Sequence, residues 1–266
     1  MNMYLHELKS LRKSAIIWLC AMIALAALYF SIYPGIAADA ENFKKFLSGY
    51  PESVRAMLGI SLEGITSILG FYSMVFSFIT LCGAIQAMNV GVSILSKETR
   101  ERTADFLLVK PVSRQAIVSA KLLAALTTLL AVNIIYYAAS FILAYIMKTA
   151  DFSYSLFFMI NLTMFFIQLI FLAIGVIISV FFTKLKSVLP ISLGVVFGLY
   201  FIGALIVTDP KDAARFISPF KYFDISYIIK NSSYEAPYLI AGAIIIIVSI
   251  IASYIIYTKK DIHAVS

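Results

Sequence analysis

The sequence predicts an all-α integral membrane protein with six transmembrane helices and both termini cytoplasmic. Three observations carry this. Apolar residues make up 62% of the 266-residue chain and charged residues 13%, with a mean hydropathy of +0.95; a soluble domain holds about 25% charged and about 45–50% apolar residues. Six apolar stretches, near 14–34, 65–95, 116–147, 154–182, 188–207 and 238–257, each reach the roughly 20 residues that cross a hydrocarbon core ~30 Å thick. The basic residues also sort by side. With the N-terminus inside, the inner segments hold Lys9, Arg12, Lys13, Lys97, Arg100, Arg102, Lys110, Arg114, Lys121, Lys184, Lys186, Lys259 and Lys260, which is 13 of the 21. Such an excess marks the cytoplasmic side. The net charge of +7 thus serves topology rather than nucleic-acid binding, and no nucleic-acid partner is expected.

Residues 1–266 read as one membrane domain, with no internal repeat and no linker to a second unit. At the N-terminus Tyr4, Leu5, Leu8 and Leu11 recur at helical spacing opposite Glu7, Lys9, Arg12 and Lys13. This fits a short amphipathic helix at the inner interface before the first span; a plain basic anchor fits the same residues. A basic leader and small residues at Ala38-Asp39-Ala40 resemble a cleaved signal, but the apolar run exceeds the roughly 7–15 residues of a signal core, so it is read as a retained span. The second and third spans exceed the minimum length and are expected to tilt or project. Outer segment 38–64 reads as two small amphipathic helices hinged at Gly49-Tyr50-Pro51. Outer segment 208–237 carries Pro210, Pro219 and Pro237 among aromatics. The two segments either cap the mouth of a pathway or rest as ordinary interfacial loops.

Several chemistries are excluded. The two histidines, His6 and His263, lie near the termini, and no HExxH occurs, so a zinc protease cannot be assembled. Glu98-Thr-Arg-Glu-Arg102 matches the ExxxR half of a membrane prenyl-protease signature, but the intramembrane histidines that chemistry needs are missing. Cys20 and Cys82 sit in apolar runs without ligand partners at metal-like spacing. There is no GxSxG elbow. No catalytic or metal-ligating residue is expected. The spans contain no acid, and their one base is Lys121 near the inner end of the third. Their central polar groups are the amides Gln86, Asn89, Asn133, Asn161 and Gln168, which either bind helices together or line a substrate pathway. Nor is there a Gly-Lys dipeptide, so a phosphate-cradling P-loop is absent. Energy for uphill movement must come from a separate chain.

The loop 96–115 is where such a chain would dock. Thr103 is a plausible N-cap, Asp105 complements the dipole in the first turn, and Pro111 stops the helix after Val109. About seven residues at 1.5 Å each span only ~10 Å, so this helix lies along the inner surface. Ser113 then caps the helix that becomes the third span. Phe106, Leu107 and Leu108 either enter a partner's groove or rest on lipid headgroups; the physics leaves both open.

The run Lys97-Glu98-Thr99-Arg100-Glu101-Arg102-Thr103-Ala104-Asp105-Phe106-Leu107-Leu108-Val109-Lys110-Pro111-Val112-Ser113-Arg114, with Lys121 entering the next helix, resembles the cytoplasmic signature of bacterial type-2 ABC exporter permeases. Ala104 stands where a glycine is common in that family. The Glu7/Lys9 leader, the Ser218–Asp224 segment and Lys260-Asp261-Ile262 resemble it more loosely. The resemblance implies a permease half of the multidrug, antibiotic or peptide type in the bacterial cytoplasmic membrane. It would pair with a second half, the same or related, and with two copies of an ABC ATP-binding subunit. ATP and Mg would sit on that subunit, with no cofactor on this chain. The implied coupling residues are Glu98, Thr103, Asp105, Phe106, Leu107, Leu108, Pro111 and Arg114, and the expected function is outward movement of a hydrophobic or amphipathic substrate. The competing reading is a non-transporting anchor or regulator of a partner ATPase. Membrane lipid is a partner in either case.

Overall fold

A computed structural model describes residues 3–51, 54–55, 60, 62, 64–100, 113–182, 187–205 and 213–259; the side chains of residues 98–100 and 213 lie outside the description. Among the described residues the secondary structure is entirely helical. The chain runs through α1 (Met3–Ala38), α2 (Ala40–Ser48), α3 (Ile68–Arg100), α4 (Arg114–Met147), α5 (Tyr154–Phe181) and α6 (Leu189–Leu205). Two 3-10 turns, Ala213–Ile217 and Pro219–Lys221, then lead to α7 (Ile225–Asn231) and α8 (Ala236–Lys259). Five helices, α1, α3, α4, α5 and α8, are long and apolar enough to cross a membrane. The fifth expected span is shorter: α6 has 17 residues, about 26 Å of helix, and residues 206–212 lie outside the description.

Local chemistry explains the boundaries. Ser113 caps α4 as its sequence position predicts, its Oγ accepting from the Ala116 amide at 3.1 Å. Ser153 caps α5 through the Leu156 amide, and Asp224 caps α7 through the Ser226 amide at 2.8 Å. Between α4 and α5, Lys148 Nζ donates to Asp151 at 2.7 Å, and that bond holds the Asp151 carboxyl below its ordinary range. Pro34 does not end the first helix; α1 continues to Ala38. A proline near a helix end removes one backbone bond, which a packed membrane helix tolerates.

Of the two readings of the leader, the separate interfacial helix is not what forms: the leader is continuous with α1 from Met3, as a basic flank of the first span would be. Glu7, assigned by spacing to the polar face, is buried, while Leu5 is exposed. The reason is a polar partner on α4, described below. Of the two helices expected in segment 38–64, the first is α2, ending at Gly49; the second lies mostly outside the described residues.

At the centre of the bundle, α3 and α5 pack along most of their lengths, and both are largely buried. They cross at Gly91 and Gly175. A Cβ on Gly91 would lie 2.4 Å from the Leu172 carbonyl oxygen, and one on Gly175 2.8 Å from that of Met88. Small residues permit this backbone approach, which drives association where lipid and side chains are equally apolar. Helix α1 packs along α4, and α8 along α5. The outward faces of α1, α4 and α8 carry Ile17, Leu123, Ile134, Ile142, Ile244 and Ile251, all about half exposed or more. Such continuous apolar faces suit lipid, not water.

Contacts also fix which helix ends lie together. Glu7 of α1 meets Lys121 of α4, and Arg114 of α4 donates to the Thr258 carbonyl of α8. The start of α1 and the end of α8 therefore share one end of the bundle. At the other end Tyr33 donates to the Thr66 carbonyl and lies 3.4 Å from the Thr149 hydroxyl.

Candidate functional site

Of the expected coupling residues, Thr103, Asp105, Phe106, Leu107, Leu108 and Pro111 lie outside the described residues. Glu98 belongs to the last turn of α3, with its side chain outside the description. Arg114 opens α4, and its guanidinium reaches the Thr258 carbonyl at 3.3 Å. The segment is thus bracketed by α3 and α4, the latter tied to α8.

The five amides fall into distinct groups. Asn133 of α4 donates to Gln168 Oε1 of α5 at 2.5 Å, and Gln168 Nε2 donates to Gln86 Oε1 of α3 at 3.3 Å. This chain crosses three helices beside Gly83, where the missing Cβ leaves room: a Cβ would lie 3.1 Å from Gln168 Nε2. It ends on Gln86 Nε2, a buried donor without a hydrogen-bond partner. Asn161 joins a second cluster. Tyr72 donates to Asn161 Oδ1 at 2.8 Å and meets the Tyr136 hydroxyl at 3.1 Å, while Ser140 reaches the same amide oxygen at 3.4 Å. Aromatic rings enclose it, with Phe30 and Phe157 stacked against Tyr72. Asn89, half-buried on α3, joins neither group among the described contacts. The polar groups therefore converge on the contact of α4 with α3 and α5, a set that could not be assembled from spacing along single helices.

One pair escaped the sequence reading. Lys121 Nζ lies 3.0 Å from Glu7 Oε1 and donates to the Ile94 carbonyl at 2.8 Å. Both side chains are buried, Lys121 fully. The available signal was Lys121 itself: a base within an apolar span needs a partner. The leader's acid was the candidate, but assignment to an outer-facing stripe concealed it.

At the opposite end, Arg215 makes a two-pronged ion pair with Glu235, at 3.2 and 2.7 Å, and also donates to the Lys221 carbonyl at 3.0 Å. Its guanidinium lies 4.2 Å from the centre of the Tyr238 ring. Ser218 donates to the Leu199 carbonyl of α6, beside Gly203, where a Cβ would lie 2.6 Å from the serine oxygen. Tyr234 donates to the Met159 carbonyl of α5, and burial pushes its phenol up to about 12. Residues 213–238 thus form a packed cap joined to α5, α6 and α8. Burial also draws the Lys221 ammonium below its ordinary range.

A bundle of apolar crossing helices with polar joints inside and a folded cap at one end defines a multi-pass membrane protein. The chain belongs to the ABC-2 family of transporter proteins, whose family model matches residues 1–262. It is accordingly a type-2 ABC permease, the membrane component of an ABC transporter. No curated protein matches the sequence significantly.

Proposed function

We propose that this chain is the membrane subunit of an ATP-driven exporter in a bacterial cytoplasmic membrane, moving a hydrophobic or amphipathic compound outward. Membership of the ABC-2 family across residues 1–262 is the observation that carries this reading. In this reading ATP and Mg sit on a separate ATP-binding subunit, present in two copies beside two permease halves, the same or related; the lack of a Gly-Lys dipeptide in this chain supports it. In this reading α6 is the sixth span, which keeps both termini cytoplasmic. The cap at 213–238 then faces outward.

In this reading the helix at 103–109 docks on the ATP-binding subunit through Phe106, Leu107 and Leu108. Thr103 and Asp105 start it and Pro111 ends it; Glu98 and Arg114 anchor its flanks. Closure of the ATP-binding subunits pushes this helix and so moves α3 and α4. The amides Gln86, Asn133, Asn161 and Gln168 lie along the contact of α4 with α3 and α5, which in this reading opens for substrate to pass, and Asn89 on α3 belongs to the same pathway. The test reconstitutes the chain with a candidate ABC ATP-binding subunit. Phe106→Asp and Leu108→Asp are expected to weaken subunit binding at least tenfold in pull-down titrations. Unchanged binding would remove the coupling assignment. Normal binding by the unaltered chain without ATP-dependent movement of any compound in a panel would instead favour a non-transporting anchor.

A further inference from the structure

The most extensive helix contacts pair α3 with α5, α1 with α4 and α8 with α5; α1 also meets α3 directly, and α4 meets α3 and α5 more sparingly. Beside the ring contacts of Tyr137 and Phe141 with Phe157, four polar joints cross that thinner contact: Lys121 to the Ile94 carbonyl, Asn133 to Gln168, Tyr136 to Tyr72 and Ser140 to Asn161. Only the first includes a full charge pair, because Glu7 of α1 closes on the same ammonium. Three helices meet at that one nitrogen.

We propose that the Glu7–Lys121 pair is a strut, with Lys121 a positioning residue that makes the start of α1 move as one body with the facing ends of α3 and α4 during transport. The inference deepens the coupling reading above and rests on it. Ile94 lies six residues before Arg100, the last residue of α3, and Lys121 lies seven after Arg114, the first of α4. The joint is therefore within ~10 Å of both ends that flank the coupling segment. Motion delivered there reaches the strut before the rest of the bundle.

The chemistry suits a rigid joint. Apolar contact is non-directional, so packed helix faces alone permit small slides and rotations. The buried Glu7 carboxylate resists separation from the ammonium, because its charge would be left uncompensated in surroundings of low dielectric. The carbonyl bond adds direction, tying the ammonium to the backbone of α3 rather than to a side chain that can turn. Glu7 also precedes the apolar run of α1, in a stretch that crossing the membrane does not require. Its burial there joins the leader to the hairpin of α3 and α4.

A coupling role and a purely stabilising role predict different results for a neutral replacement of matched shape, since buried ion pairs exchanged for such groups often keep full stability. The experiment uses the complex with its ATP-binding subunit in lipid nanodiscs, on a Cys20→Ser, Cys82→Ser background. Spin labels at Ile17→Cys and Ile247→Cys, both exposed, report the distance between α1 and α8. The reading is the shift in that distance between the nucleotide-free state and the state trapped with Mg, ATP and vanadate. Glu7→Gln combined with Lys121→Met is expected to keep subunit binding and ATP hydrolysis but lose at least half of the shift. Lys121→Arg, which retains the charge, should retain the shift. A full shift in the neutral double variant overturns the strut alone, as does a folded Lys121→Arg protein without it. If the double variant does not fold, Glu7→Gln alone, which keeps the bond to Ile94, decides between the same outcomes. Absence of subunit binding or of any shift in the unaltered chain overturns both the coupling reading and the strut.

Discussion

Gln168 shows how a polar side chain in an apolar helix is judged by its partners. Its oxygen accepts from Asn133 and its nitrogen donates to Gln86, so it is the centre of the chain linking α4, α5 and α3. Gln86 is terminal, with its own amide nitrogen unpaired in a buried position. Gln168→Leu leaves Gln86 without a partner and takes one of the two bonds of the Asn133 amide nitrogen, which keeps the Leu129 carbonyl, and is expected to cost about 1–2 kcal/mol. Gln86→Leu removes an orphan donor along with one bond, so its cost should stay within about 0.5 kcal/mol. Equilibrium unfolding in mixed micelles measures both, and equal costs would show that the middle position has no special role. The same logic marks Lys121, whose position in the sequence demanded a partner without naming it.

At the scale of elements, the glycines divide by what faces them. Gly91 and Gly175 sit where α3 and α5 touch backbone to backbone, and a methyl group at either has no space. Gly198 on α6 meets nothing within 4 Å. Gly91→Ala should therefore destabilise the bundle by about 1–3 kcal/mol through forced separation of the two central helices. Gly198→Ala should be neutral or stabilise by up to about 1 kcal/mol, since alanine favours the helix and nothing opposes it. Thermal unfolding of both variants in one detergent provides the comparison; a loss at Gly198 as large as at Gly91 would contradict the packing argument. Sequence reading located both helices but could not separate these glycines. Each lies in a strongly apolar run, and only the neighbouring helix distinguishes a crossing point from a free face.

For the whole molecule, the shared end of α1 and α8 carries Lys9, Arg12, Lys13, Lys97, Arg114, Lys121 and Lys259 among the described residues, and the cap at 213–238 lies at the other end. Cysteines replacing Lys9 and Lys230, on the Cys20→Ser and Cys82→Ser background, test which end faces the cytoplasm. A membrane-impermeant maleimide added to intact cells should label the cysteine at 230 at least tenfold faster than the one at 9; the reverse ranking would invert the topology. Much of this plan was legible beforehand. The boundaries of α4, α5 and α8 fall within two residues of the expected spans, because Ser113 and Ser153 cap their helices locally and the apolar runs are uninterrupted. The leader was misjudged, since the face that buries Glu7 is set by a lysine more than a hundred residues away. The span amides were recognisable by type, but their association into Asn133–Gln168–Gln86 and Tyr72–Tyr136–Asn161 was not.

By itself the sequence determined the class and the apolar runs, because bilayer thickness and backbone satisfaction act on each segment separately. Only the tertiary structure decided that α3 and α5 are central while α1, α4 and α8 present open apolar faces, and that Glu7 meets Lys121. In a membrane protein the lipid-facing and buried faces are similarly apolar, so hydrophobicity does not say which is which. Backbone approach at glycines and the pairing of a few polar groups make that choice, and both depend on residues from different helices.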